Sequence, residues 1–500
     1  MPIQFNNIPN TIRTPGAFVE VDNSRALGNR LVPIPHKVLL IGQKSAGGSV
    51  PSEVLTAITR DNLADGYFGN GAQLARMCNV FKANNPNTEL FALALSDVSG
   101  VTASGAINTS IALSATNGSC SGGGVYYLLL NGVQAYVTLT SGMSVTDVNS
   151  AIQTVVNANS ALPMTAATNA TSALTLIAVN SGTNGNYLDI RANYYAGQSD
   201  PVCFIDSATI TGMAAGATDP DLGDVWAIID DERFNYIIQP YIDAANLTEI
   251  ETELSSRFGP LVNQQGHGFA CVRGTHASCT TLGNSRNSEH NTIMGVYDSP
   301  IDPAEWAAAL GAIAAFNLNN DPARPLHYLQ LKGILPPPVA SRFTRTERDI
   351  LLYDGIATSI VDSGGNVQIE RCITTYQTNA AGLADPSYLD IQTLATLGEI
   401  RDQFAARMIL RFISPRFKLA DDGFPVQPGT NVATPGTVRQ EIIALFGTLR
   451  DEGLIENLDD FVDNLIVERD TTDANRINCL LPPDLINQFR VLAANLQFLL

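Results

Sequence analysis

Apolar residues recur along this chain in distinguishable rhythms. Two short, nearly continuous runs, Lys37-Val38-Leu39-Leu40-Ile41-Gly42 and Leu90 to Leu95, have the length and apolar content of buried strands. Between them Leu74, Met77, Cys78 and Phe81 repeat at helical spacing, so strand, helix, strand is the expected order. The α/β pattern resumes at Val225-Trp226-Ala227-Ile228-Ile229. Thr248, with Glu251 three residues on, predicts a capped helix start ahead of Ile250, Leu254 and Phe258, with Gly259 ending it. Asp302-Pro303, backed by Glu305, predicts a helix that buries Trp306, Leu310 and Ile313. Asp385-Pro386-Ser387 is expected to open a long helix striped by Ile391, Leu394, Leu397, Ile400, Phe404 and Met408 and stopped at Pro415. Thr434-Pro435 opens another, with Val438, Ile442, Leu445 and Leu449 on one face and Gly453 after it.

The stretch 99–217 interrupts this pattern. It is rich in Ser, Thr, Asn, Gly and Ala, and no basic residue stands between Lys82 and Arg191. Strand-like runs at Val125–Leu130, Ala135–Leu139 and Ala173–Val179 flank a helix face of Val148, Ile152, Val155 and Val156, and Asn131-Gly132 is a hairpin signal. A small α+β module inserted in a loop of the core fits this composition. The expected fold is therefore α/β and α+β multidomain. Its parts are an N-terminal arm (1–35), a first core part (36–98), the inserted domain (99–217), a second core part (218–480) and a C-terminal segment (481–500).

Each end of the chain carries one lone strand pattern. Ala17-Phe18-Val19-Glu20-Val21-Asp22 alternates between Pro9 and Pro15 on one side and Pro33 and Pro35 on the other. At the other end Leu492, Ala494, Leu496, Phe498 and Leu500 alternate with Ala493, Asn495 and Gln497 up to the last residue. Such an end is either an edge of its own sheet or a strand given to a neighbour, and the pattern leaves both open.

Length and charge narrow the function. A chain of 500 residues exceeds one ordinary core. The formal charge of −19 repels phosphate backbones, so no nucleic acid is expected as a partner. No 18-residue apolar run occurs, so no membrane insertion is expected, and Met1–Asn10 lacks the features of a secretory signal. Seven scattered cysteines without a C-x-x-C pair read as buried thiols in a reducing compartment, not as a disulfide framework.

Chemistry is sparse. Gly42-Gln43-Lys44-Ser45-Ala46-Gly47-Gly48-Ser49 follows a strand, but Gly48 stands where a phosphate loop needs lysine. Gly69-Asn70-Gly71 lacks the third glycine of a dinucleotide fingerprint, and no G-x-S-x-G elbow occurs. His267, Cys271, His276, Cys279 and His290 are zinc-capable, and a metal-dependent enzyme built on the His267–Cys279 region is the alternative of another class. Their spacings fit no common zinc module, and buried packing cysteines with polar loop histidines are the simpler reading. Asp421-Asp422 and Asp459-Asp460 have no companion base and read as solvated surface. No catalytic residue, cofactor or metal is assigned.

Several segments, in order along most of the chain, resemble Mu-like contractile phage tail sheath proteins. They are Ile8-Pro9-Asn10 with Phe18 to Ser24, Tyr67-Phe68-Gly69-Asn70-Gly71-Ala72, and Thr183-Asn184-Gly185-Asn186 before Leu188. Gly355-Ile356-Ala357-Thr358 and Ile373-Thr374-Thr375-Tyr376-Gln377 follow. Then come Leu419 to Gly423, Gly453-Leu454-Ile455-Glu456-Asn457, Val467-Glu468-Arg469, and Leu481-Pro482-Pro483-Asp484-Leu485-Ile486-Asn487-Gln488. The family often has serine where Ala72 stands. The resemblance implies a structural, non-enzymatic subunit that polymerises around a tail tube and contracts to drive the tube through the host envelope. A related injection device, such as a phage-tail-like bacteriocin, is the nearest alternative. The implied partners are further copies in helically stacked hexameric rings, the tube protein, and baseplate and tail terminator proteins. The implied location is the virion tail, assembled in the host cytoplasm. The resemblance also implies exchanged terminal strands, which makes Phe18, Val19, Val21, Leu492, Ala494, Leu496, Phe498 and Leu500 the expected subunit-interface residues.

Overall fold

A computed structural model describes residues 35–97, 100–108, 119–168, 173–204, 207–425, 427 and 430–499. The first core part runs β1 (Lys37–Gln43), β2 (Leu55–Ala57), α1 (Leu63–Phe68), α2 (Gln73–Asn84) and β3 (Glu89–Leu95). The inserted segment supplies β4 (Thr102–Asn108), β5 (Gly124–Leu130), β6 (Val133–Leu139), α3 (Val145–Ala158), β7 (Met164–Thr168), β8 (Ala173–Ser181), β9 (Ile190–Ala192) and β10 (Thr209–Ala214). The core resumes with α4 (Gly223–Ile229), β11 (Tyr236–Ile238), α5 (Ala244–Phe258), β12 (His267–Arg273), α6 (His276–Asn284), β13 (Asn291–Val296) and α7 (Pro303–Asn320). Next come α8 (Arg345–Tyr353) and the ribbon of β14 (Thr358–Val361) and β15 (Val367–Arg371).

The core sheet has the order β13-β12-β11-β1-β3-β2, parallel throughout except for the β2–β3 pair. Alternation along β1 divides its side chains between two apolar layers. Val38 and Leu40 join α2 and α7 in one, and Leu39 and Ile41 join α4 and α5 in the other. That double burial explains why β1 reads as a continuous apolar run. Helix α7 is buried on nearly all sides, and Trp306 donates its indole N–H to Ser299 at 2.8 Å. At the end of β1, Gly48 lies against α1, and a Cβ there would sit 2.6 Å from Tyr67 O and Phe68 C. Gly48→Ala is expected to cost about 1–3 kcal/mol, read as a lower urea midpoint with an unchanged slope.

The inserted domain has its own core of Tyr126, Leu128, Leu130, Val137, Val148, Ile152, Val156 and Leu176. The Asn131-Gly132 turn between β5 and β6 uses positive φ at both residues (45° and 79°), as a two-residue hairpin requires. A charge cluster ties the domain to the core. Arg191 pairs with Asp189 (2.6 Å) and Asp298 (2.7 Å), while Arg273 of β12 reaches Asp189 (2.8 Å) and the Tyr187 carbonyl (2.6 Å).

The remaining elements are α9 (Ile391–Met408), β16 (Lys418–Leu419), β17 (Val432–Ala433), α10 (Pro435–Asp451), β18 (Ile455–Glu456), α11 (Leu458–Asn464), β19 (Ile466–Arg469), β20 (Ile477–Leu480) and β21 (Asp484–Leu485). The described chain forms two units, 35–395 with 489–499, and 396–488, so the expected second core part, 218–480, falls across both. In the smaller unit α10 buries Val438, Ile442, Leu445 and Leu449, and Phe446 stacks on Phe461 of α11 with centroids 4.0 Å apart.

The run Val225–Ile229, where the α/β pattern resumes, is helix α4; it buries Val225, Trp226 and Ile229, an i, i+1, i+4 face that a five-residue apolar run leaves unspecified. Three expectations are corrected. Helix α5 starts at Asp243, whose side chain accepts from Asn246 N, while Thr248 lies inside the helix and donates to the Ala244 carbonyl. Helix α9 opens at Ile391, because the Asp385 carboxylate closes a local turn on Ser387 N (2.9 Å) instead. Cys120 and Cys203 are joined as a disulfide inside the inserted domain, although a reading of all seven cysteines as free thiols was expected. Both lie in that domain's buried core, a proximity that a separation of 83 residues conceals.

Candidate functional site

An open parallel sheet offers its ligand crevice beyond the carboxyl ends of its strands. Here that crevice begins at Gln43, and the inserted domain fills it. The Gln43 side-chain amide donates to Asp97 Oδ1 (2.8 Å) and to the Ser181 carbonyl (2.9 Å), while its backbone N–H donates to Gln73 Oε1 (3.1 Å). Gln73 N donates to Asn180 Oδ1 (2.9 Å), and Asn180 Nδ2 donates to the Lys44 carbonyl (2.9 Å). Lys44 turns its ammonium back onto the carbonyls of Gly48 and Val50. A cavity of about 20 Å³ remains among these side chains, room for about one water. The glycine-bearing segment Gly42–Ser49 is thus closed by the protein's own polar groups.

The zinc-capable residues separate onto different partners. His267 and Cys271 are buried on β12, and His267 Nε2 meets Thr292 Oγ1 at 2.8 Å. His290 Nδ1 faces the Gly266 carbonyl at 3.3 Å. His276 Nε2 faces the Glu347 carbonyl at 3.1 Å, and Cys279 Sγ points to the Gly274 carbonyl at 3.7 Å. Burial, and secondarily His290, lowers the His267 pKa to about 3; burial raises the Cys279 thiol to about 12. Among the described residues no three His, Cys, Asp or Glu side chains gather as a metal-binding group.

The paired acids have local duties. Asp422 accepts from Gly436 N (2.8 Å) in the first turn of α10, Asp421 pairs with Arg469 (2.9 Å), and Asp459 and Asp460 occupy the first turn of α11.

The C-terminal segment is exposed instead of packed. The chain pairs as far as β21, where Ile455 faces Leu485, and Asn487 Nδ2 reaches Glu456 (3.1 Å). Arg490 makes an ion pair with Asp390 (2.7 Å), which also receives Arg371 (3.3 Å). Beyond it Leu492, Leu496 and Phe498 are 79%, 92% and 77% exposed, Ala494 is exposed, and residues 491–499 join no strand of the described chain. The alternation expected to form a strand therefore has no strand partner among the described residues of its own chain. Leu500 and the arm residues Phe18, Val19 and Val21 lie outside the described residues.

The β19–β20 hairpin is the feature that sequence reasoning missed. It is a two-stranded ribbon paired from Ile466–Leu480 to Arg469–Ile477, and neither outer edge is paired among the described residues. Ile466 and Leu480 are half exposed or more. Its turn is shaped by Asp470, whose carboxylate accepts from Thr472 N (2.7 Å) and Asp473 N (2.9 Å); those backbone bonds, with Asn478, hold its pKa down to about 2. The signal was the pair of short runs Ile466-Val467 and Ile477 to Leu480 around a polar turn. By contrast, the β14–β15 ribbon is covered on one edge, where Tyr328 N and Leu331 N donate to the Ile369 and Val367 carbonyls.

Comparison with known proteins gives consistent matches. Residues 215–375 match the family described as the phage tail sheath protein central domain, and residues 384–498 match the phage tail sheath C-terminal domain. The Mu-like prophage FluMu tail sheath protein of Haemophilus influenzae is 36% identical over 501 residues, covering 100% of both chains. Among solved structures, a sheath tail protein from Desulfitobacterium hafniense is 13% identical, with 94% of this chain and 100% of that chain covered and a TM-score of 0.47. The anti-feeding prophage helical sheath in its contracted state is 8% identical, with 97% and 99% covered and a TM-score of 0.47.

Proposed function

This chain belongs to the phage tail sheath family and is a structural subunit of a contractile tail sheath; on that premise we propose that donated terminal strands link each subunit to its neighbours in helically stacked hexameric rings. The observation that carries this reading is the exposed alternation of Leu492, Ala494, Leu496 and Phe498, which has no strand partner in the described part of its own chain. A two-stranded ribbon is marginal alone. The β19–β20 hairpin of a neighbour offers the free backbone edge that such a strand needs. The arm segment with Phe18, Val19 and Val21 is the second donor, and Leu500 ends the first.

In this reading contraction draws on free energy held in the extended assembly. The strand links keep neighbours joined while the folded bodies rotate and make new contacts. The remaining partners are the tail tube inside, a baseplate and a tail terminator. Assembly takes place in the host cytoplasm, and the sheath drives the tube through the host envelope.

Cys479 provides the test, because it is the exposed thiol on β20 while Cys78, Cys271, Cys279 and Cys372 are buried. Single cysteines placed in turn at Leu492, Ala494 and Leu496 should oxidise onto Cys479 of another copy. At least one position should give a ladder of covalent multimers on a denaturing gel. Monomer at every position, in assembled sheath, rejects the hairpin as the acceptor.

A further inference from the structure

We propose that the tip of the β5–β6 hairpin is clamped onto the core by a proton-dependent contact centred on Glu305. The geometry is an imbalance of charge in a closed site. Asp302 caps α7, accepting from Glu305 N at 3.0 Å, and its own backbone N–H donates to Asn131 Oδ1 at 3.0 Å. Asn131 Nδ2 donates to Glu305 Oε1 at 2.9 Å. Arg76 of α2 gives a single nitrogen, Nη1, to both Asp302 Oδ2 and Glu305 Oε1. Two carboxylates therefore share one guanidinium, and the hairpin adds an amide without charge. Asp302 and Asn131 are buried, and the side chains of Arg76 and Glu305 are 13% and 12% exposed. Gly132 closes the site against Ile301 so tightly that a Cβ there would lie 2.1 Å from Ile301 Cδ1.

A carboxylate taken from water in surplus of its cationic partners gains a proton more readily than it keeps its charge. The charged groups facing Glu305 are Arg76 from α2 and Asp302 from its own helix, with the neutral Asn131 from the hairpin. Burial first, and the Asp302 charge after it, push Glu305 up against the opposing pull of Arg76 and Asn131, to about 7. If the hairpin tip lifts, water reaches Glu305 and its pKa falls towards the ordinary value of 4.5. The closed state has the higher pKa, so its proton-linked gain is fully present below the open-state value. That gain is lost as pH rises through about 7. The cluster of Asp189, Arg191, Arg273 and Asp298 on the same domain boundary is balanced, two against two, and supplies a reference that does not depend on a surplus charge.

Hydrogen exchange of the full chain, corrected for the intrinsic pH dependence of exchange, tests this. In the wild type, opening of peptides covering β5 and β6 should be about tenfold rarer at pH 6 than at pH 8. Glu305→Gln, which keeps the Asn131 contact without the charge, should remove that dependence and be at least as closed as wild type at pH 8. Arg191→Gln should open the boundary by a similar factor at both pH values. A flat wild-type profile, which can be read whether or not the variants fold, overturns the proposal, as does an undiminished pH dependence in Glu305→Gln.

Discussion

A chain ending at Arg490 is expected to fold and melt like the full protein but not to form long sheaths. The reason is the asymmetry of what residues 491–499 contribute. They are exposed in the subunit, so deleting them removes little burial from it, and the Arg490–Asp390 pair stays in place. In the assembly the same residues would supply about five main-chain hydrogen bonds at ~1 kcal/mol each. Burial of Leu496 and Phe498 would add about 1.5–3 kcal/mol each. Ordering a free segment takes back a large part of that sum. A net of about 3 kcal/mol still makes each link roughly a hundredfold weaker when it is lost, and every subunit in the lattice loses one. Negative-stain microscopy with matched thermal melts reads both halves of the prediction. Long tubes from the truncated chain would show that the ends are not the links, and a lowered melting temperature would show that the segment belongs to the subunit's own fold.

The second large effect is expected at Arg76. Arg76→Met keeps most of the aliphatic stem but leaves Asp302 and Glu305 together in a closed site with no cation, Asp302 bonded to Glu305 N and Glu305 to the Asn131 amide. Removing one partner of a buried ion cluster typically costs about 3–5 kcal/mol, and urea denaturation at pH 8 should show a loss of that order. The loss should shrink on acidification towards pH 6, because Glu305 then takes a proton and the uncompensated charge falls. The double variant Arg76→Met with Glu305→Gln should recover a substantial part of it. A loss below about 1 kcal/mol for Arg76→Met at pH 8 would mean that solvent, not Arg76, compensates the two carboxylates.

What was legible in the sequence follows from where each determinant lies along the chain. α2 and α10 were readable because their buried side chains repeat at the helical period, and β1 because burial on both faces makes it a continuous apolar run. The start of α5 was misplaced because Asp243 and Thr248 are both good capping residues, and the choice between them rests on contacts elsewhere: Asn246 also bonds the Pro220 carbonyl and Leu222 N. The Arg76–Asp302–Glu305 cluster left no trace, since residues more than 220 positions apart carry no shared local pattern. The Cys120–Cys203 pair was hidden for the same reason. The terminal alternation was visible, but the meaning of a strand depends on its partner, and none stands in its own described chain. The resemblance to sheath proteins supplied the reading that the pattern alone left open, and the match of 36% identity over the full length places the chain in that family.

Electron cryo-microscopy of the assembled sheath, at a resolution that traces the backbone, decides whether the ends are the links. Residues 491–499 are expected to leave each subunit as an extended strand and to pair by main-chain hydrogen bonds with the β19–β20 hairpin of a neighbour. A sheath in which those residues fold back onto their own subunit, with neighbours held only by side-chain contacts between folded domains, would contradict the strand link.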